Sequence, residues 1–199
     1  SIQSIQLIDP VKEKELDKVI IPKSWYGLCF SADEKSLYAS GGNDNIIWQY
    51  AIRNNKLVLK DSIVLGPKWP EKISPAGIAI HAKRNEMYVA TKENNQFYVI
   101  DLATKKIKSA IPLAAEGYAC QVSRDLKSVY ISVWGAAQIW QYDVQQQKIT
   151  HKIAVGNHPN EIVQSRNGRY LYTANANDNS VSIIDLQQWK VIEVLNAAL

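Results

Sequence analysis

Three histidines, two cysteines and a periodic set of aspartates are the residues of this 199-residue chain with chemistry to offer. A metal centre needs several nitrogen, sulfur or carboxylate ligands converging at about 2.0–2.3 Å. His81, His151 and His158 fall at three unrelated places in the sequence pattern described below. Only His158 has carboxylates, Glu116 and Glu161, at positions from which they could converge, and a loop histidine satisfied by its own neighbours is the simpler reading. Hydrolysis needs a nucleophile with a positioned base, or paired carboxylates. The chain has no G-x-S-x-G, no H-E-x-x-H and no glycine-rich phosphate loop. The expectation is no catalytic residue, no metal and no cofactor within this stretch.

Asp9, Asp101, Asp143 and Asp185 recur at one repeat position, where a cation-binding ladder competes with a structural role. One aspartate per repeat, each ending a strand, favours the structural role: the carboxylate bonds the following turn. Cys29 and Cys120 sit in apolar runs, GLCF and YACQV, and read as small buried hydrophobes in non-neighbouring repeats, too far apart for a bridge.

Positioning these residues requires a repeated scaffold. Four segments align, residues 25–51, 75–101, 117–143 and 159–185, with anchor tyrosines Tyr38, Tyr88, Tyr130 and Tyr172 spaced by 50, 42 and 42 residues. The strings IWQYA at 47–51 and IWQYD at 139–143 are nearly identical, and only the first copy has lost the aspartate, to Ala51. Each copy contains short alternating runs bounded by turn residues, read as four strands. In the last copy these are 161–164, 170–174, 180–185 and 190–195, with Asn167-Gly168 supplying positive φ for a tight hairpin. Upstream, 4–9 and 15–21 read as the third and fourth strands of a preceding unit.

A four-stranded antiparallel sheet recurring every 40–45 residues predicts an all-β chain, a β-propeller. The blades are expected at about 2–22 (a half blade), 24–65, 74–112, 116–154 and 158–195, a single partial propeller of about four and a half blades. Eight extra residues in 53–74 lengthen the outer hairpin of the first complete unit and add a loop, 66–74, carrying Trp69.

The segments YASG (38–41), YVAT (88–91), YISV (130–133) and YTAN (172–175), between S-x-D/N-x-K-like hairpins and V-x-V-I-D-like strands, resemble the YVTN (YncE-like) β-propeller repeat of bacterial envelope and surface-layer proteins. The resemblance covers about residues 2–195 and departs at Trp134-Gly135-Ala136-Ala137, where the family has Asn-rich turns. It implies a larger ring, commonly of seven blades, of which this chain would be a part. It also implies a periplasmic, cell-surface or secreted location. Propellers of this type occur ahead of an alkaline-phosphatase-like phosphoesterase domain, which gives a second reading, and seven-bladed lactonases give a third.

In a propeller, the loops into strand one and those between strands two and three gather at the mouth of the channel. That face should present Trp25, Tyr26, Trp69, Glu71, Lys72, Glu116, Tyr118, Trp134, His158, Asn160 and Glu161. Aromatics beside convergent polar groups suit a protein, peptide or glycan ligand; rings that merely cap the blade edges are the competing reading. Arg84, Arg124 and Arg166 map to the opposite hairpins, which weakens a lactonase. The net charge of +4 is spread without a basic stripe, which argues against nucleic acid. No apolar run approaches a membrane span, and the first residues lack signal-peptide character. The leading expectation is a non-catalytic binding or scaffold propeller.

Overall fold

The computed structural model describes residues 3–68 and 70–197; Trp69 lies outside the described residues. Among them, eighteen strands form and helix is confined to three single 3-10 turns. Ser4–Asp9 (β1) and Lys14–Ile20 (β2) pair as a two-stranded sheet. The first four-stranded sheet is Leu28–Phe30 (β3), Ser36–Ser40 (β4), Ile46–Arg53 (β5) and Lys56–Val64 (β6). The second is Pro75–His81 (β7), Glu86–Thr91 (β8), Gln96–Asp101 (β9) and Lys106–Pro112 (β10). The third is Gly117–Val122 (β11), Ser128–Val133 (β12), Gln138–Asp143 (β13) and Lys148–Ala154 (β14). The fourth is Pro159–Gln164 (β15), Tyr170–Asn175 (β16), Ser180–Asp185 (β17) and Lys190–Asn196 (β18). Every sheet is antiparallel with strands in chain order, the all-β propeller architecture that the repeat predicts.

The core lies between the sheets. Tyr88 and Phe97 stack with centroids 5.8 Å apart and both meet Tyr142 of the next sheet, alongside Val129, Ile131 and Trp140. Tyr38, Ile47 and Ile63 pack against Met87, Val89 and Ile100, and Tyr130 and Ile139 against Ile162 and Leu171. The two-stranded sheet covers Leu37, Tyr50 and Leu57 with Ile5, Leu7 and Val19. Strands β8 and β12 are consequently buried on both faces. Strand β16 alternates, with Leu171, Thr173 and Asn175 buried but Tyr172 only half-buried and Ala174 exposed, because its second face carries no cover.

Repeated polar contacts lock each copy. In three hairpins one serine hydroxyl donates to an acidic or amide oxygen two residues on, Ser31 to Asp33, Ser123 to Asp125 and Ser165 to Asn167, at 2.6–2.7 Å. The same serine accepts the N–H that restarts the sheet, from Ser36, Ser128 and Tyr170. The second copy replaces the serine with His81, whose Nδ1 accepts from the Arg84 N–H at 3.3 Å while its Nε2 bonds the Leu126 carbonyl of the neighbouring sheet at 2.8 Å. A carbonyl partner makes Nε2 the protonated nitrogen. The aspartates do bond their following turns: Asp9 accepts from Val11 and Lys12, Asp101 from Thr104, Asp143 from Gln145 and Gln146, and Asp185 from Gln187 and Gln188.

The first sheet, which has Ala51 at that position, turns differently. Its strands β5 and β6 run eight and nine residues and close on Asn54-Asn55, both at positive φ, a two-residue turn whose twist suits long paired strands. The last copy, by contrast, is not an Asn-Gly tight turn. Gly168 alone takes positive φ (75°), and Asn167 serves through its side chain, accepting from Ser165 and from the Arg169 N–H. Strand β15 also begins at Pro159 rather than at 161.

Candidate functional site

Inner strands set the geometry of the channel. Gly77 lies so close to the next inner strand that a Cβ there would meet Tyr118 O and Ala119 Cα at 2.6 Å. Only glycine permits this approach. The approach brings Tyr118 at the start of β11 opposite Tyr26 ahead of β3, with ring centroids 4.7 Å apart and planes inclined by 44°. Beside the pair is a cavity of about 280 Å³, lined by Tyr26, Leu28, Ile78, Cys120 and the exposed Glu161 among others. Cys120 is pushed up to about 12 by burial, and burial raises Cys29 as well, so both are thiols rather than thiolates.

A second group sits between the third and fourth sheets. The Trp134 ring stacks on His158, centroids 3.8 Å apart and planes 23° from parallel, and Trp134 Nε1 donates to Asn160 Oδ1 at 2.9 Å. Trp134 is held by its own N–H, which donates to the Glu116 carbonyl at 2.6 Å. The Glu116 carboxylate crosses Gly135 so closely that a Cβ there would lie 1.9 Å from Oε2. His158 has a left-handed backbone (φ 55°), its carbonyl accepts from Ala176, and its Nδ1 is buried without a hydrogen bond among the described residues. This overturns the reading of His158 as a satisfied loop histidine: the ring is engaged through its face, not its nitrogen. Nearby, Asp178 accepts from Asn157 through both oxygens, and these bonds, helped by His158, hold its carboxyl below the usual range.

The third group is at the first and second sheets. Lys92 Nζ lies 4.6 Å from the centre of the half-exposed Trp25 ring. A cavity of about 220 Å³ is lined by Asn43, Glu71, Lys72, Ser74 and Glu93. The 66–74 insertion is clamped by Asn45, which is fully buried. Its Nδ2 donates to the Pro67 and Glu71 carbonyls at 2.7 and 2.8 Å, and its Oδ1 accepts from the Ile73 and Ser74 N–H groups.

The predicted face therefore resolves into three groups rather than one. Tyr26 and Glu161 line the channel cavity, with Tyr118 against the Tyr26 ring; Glu116, Trp134, His158 and Asn160 share the second site; Trp25 stands with Lys92. Glu161 and His158, grouped in sequence as potential co-ligands, belong to different groups: His158 precedes β15 with a left-handed backbone, and the register of β15 is irregular between Pro159 and Ile162. Among the described residues no three His, Cys, Asp or Glu side chains gather as metal ligands. Lys92, Asn45 and Asp178 were not singled out by sequence. All three lie in the polar turns between second and third strands, and their only signal was the Asn-rich composition of those turns.

Serial four-stranded sheets around a cavity bounded by their inner strands define a β-propeller. The chain belongs to the YNCE-like beta-propeller family, whose sequence model matches residues 2–198. It is similar in structure to Kuenenia stuttgartiensis hydrazine synthase, with a TM-score of 0.76 and 19% identity over 88% of this chain and 49% of that one. It is also similar to a functionally unknown protein from Desulfotomaculum acetoxidans DSM 771, with a TM-score of 0.79 and 13% identity over 99% of this chain and 64% of that one. The chain thus spans half to just under two thirds of the length of these two structures, and at such identities the likeness is one of fold. No curated protein matches the chain. No helix among the described residues is long and apolar enough to cross a membrane.

Proposed function

We propose that this propeller is a non-catalytic binding module whose ligand, a peptide or glycan, lies across the channel mouth. The observation that supports it is the Tyr26–Tyr118 pair beside the channel cavity, with the Glu161 carboxylate alongside. Flat apolar rings next to a carboxylate suit the apolar face of a sugar or an aromatic or basic peptide side chain. Trp25 with Lys92 and Trp134 with His158 extend the aromatic surface on either side. On family resemblance, the module works in the periplasm, at the cell surface or after secretion. The test is the variant Tyr118→Ala. It should abolish ligand binding while the protein keeps its fold by circular dichroism; unchanged binding would refute the reading.

A further inference from the structure

The face opposite the channel mouth carries a second cavity. It has a volume of about 570 Å³, within the range of small-molecule sites of roughly 300–1,000 Å³. The first hairpins of the third and fourth sheets frame it, and three guanidinium groups stand on its rim: Arg124, Arg166 and Arg169. Two carboxylates are also present, and both are engaged. Asp125 accepts from the Ser123 hydroxyl and the Lys127 N–H, and Asp185 accepts two bonds from Arg169 and two from its own turn. Among the described residues, the Arg124 guanidinium spends only Nε, on the Ser165 carbonyl at 2.9 Å, and the Arg166 side chain makes no hydrogen bond. One net positive charge and an unspent guanidinium fork remain for an anion, and that fork matches a carboxylate bidentately.

The floor is neutral and polar. Tyr130 is 5% exposed, yet its hydroxyl makes no hydrogen bond among the described residues, whereas the equivalent Tyr88 hydroxyl donates to Glu86 at 2.8 Å. Burial, with Asp125 nearby, pushes the Tyr130 phenol up to about 12, so it remains a donor through the neutral range. The ring is backed by Trp189, centroids 6.4 Å apart. Gln141 gives Nε2 to Ser128 at 2.6 Å and leaves its carbonyl oxygen open as an acceptor. A phenol and an amide oxygen that line the groove without a partner among the described residues suit ligand hydroxyls, which can accept from the one and donate to the other.

We propose that this groove binds a hydroxylated organic acid of monosaccharide size, a uronate, with the carboxylate at Arg124 and Arg166 and the hydroxyls at Tyr130 and Gln141. The site is distinct from the channel mouth and does not depend on the function proposed there.

The experiment is calorimetric titration of the whole chain at low salt with sodium glucuronate, glucose and inorganic phosphate, repeated on Arg166→Gln and Tyr130→Phe. Glucuronate should saturate, with glucose and phosphate each about tenfold weaker or worse. Arg166→Gln, at an exposed position, should weaken glucuronate about tenfold, and Tyr130→Phe should weaken it severalfold, both with unchanged circular dichroism. Failure of glucuronate to saturate would overturn the proposal. So would phosphate binding as tightly as glucuronate, or glucuronate affinity that neither substitution changes.

Discussion

Tyr26 and Tyr118 belong to sheets that are not neighbours in the ring, yet their rings meet at 4.7 Å between centroids. The contact is possible because Gly77, on the sheet between them, lets the inner strands close to backbone contact. An aromatic pair is worth about 0.5–1.5 kcal/mol beyond its buried area. Tyr118→Ala is accordingly expected to cost on the order of 1 kcal/mol in denaturant unfolding, a small loss for a residue placed at the centre of the ligand face. A loss of several kcal/mol would instead make the pair a structural keystone.

Ala137 occupies the left-handed position filled by Asn45, Asn95 and Asn179 in the other three complete copies, with φ of 53° against 56°, 52° and 46°. Its carbonyl, like theirs, accepts the N–H that follows the fourth strand, here from Val155. The conformation is thus imposed by the sheet on a residue that disfavours it by about 1–2 kcal/mol. Ala137→Asn should stabilise the chain by about 1 kcal/mol and raise Tm by about 2–4 °C. A lower Tm in calorimetry would show that the turn tolerates alanine for another reason.

Asn45 presents the opposite case, a buried amide whose four hydrogen bonds hold the 66–74 insertion. Asn45→Ala strands two N–H groups and two carbonyls, at about 1–3 kcal/mol for each group that water cannot reach. The expected result is a loss of about 3 kcal/mol and faster cleavage by a broad protease within 66–74. Mass spectrometry of the fragments checks the second point.

Glu86 is 2% exposed and is bonded by Arg84, Lys108 and the Tyr88 hydroxyl. Burial alone would raise its pKa, but the three donors outweigh it and hold the carboxyl below its ordinary 4.5. The unfolded chain then binds the extra proton, so this group stabilises the fold above about pH 4.5 and the contribution is lost as pH falls through the folded pKa. Glu86→Gln should lower Tm at pH 7 and flatten its decline as the pH falls below the ordinary carboxylate value of 4.5. Parallel acid limbs for the two proteins would remove Glu86 from the account.

The blades were legible because Tyr38, Tyr88 and Tyr130 fill one position between sheets, and filling it constrains residue type; Tyr172 keeps the same place on the uncovered face of β16. The aspartates were legible for the same reason: an Asx-bonded turn accepts few residues. The division of the ligand face into three groups was not. Whether Glu161 faces the channel while His158 stacks on Trp134 depends on an irregular register at the start of β15, between Pro159 and Ile162, and on the left-handed backbone of His158. Neither leaves a periodic trace. Lys92 escaped notice because cation–π contact is chosen by proximity in space, and Trp25 is far from it in the chain. The far-face groove was visible only as arginines on the wrong side for a lactonase; its unbonded Tyr130 hydroxyl emerges from packing alone.

The central claim is that the channel mouth recognises a peptide or glycan through its aromatic rings. A combined glycan and peptide array probed with the native chain and with the Trp25→Ala/Tyr118→Ala variant tests it most directly. The account predicts a defined set of ligands bound by the native chain and lost by the variant, while the two proteins melt within a few degrees of each other. Ligands retained by a folded variant would contradict it.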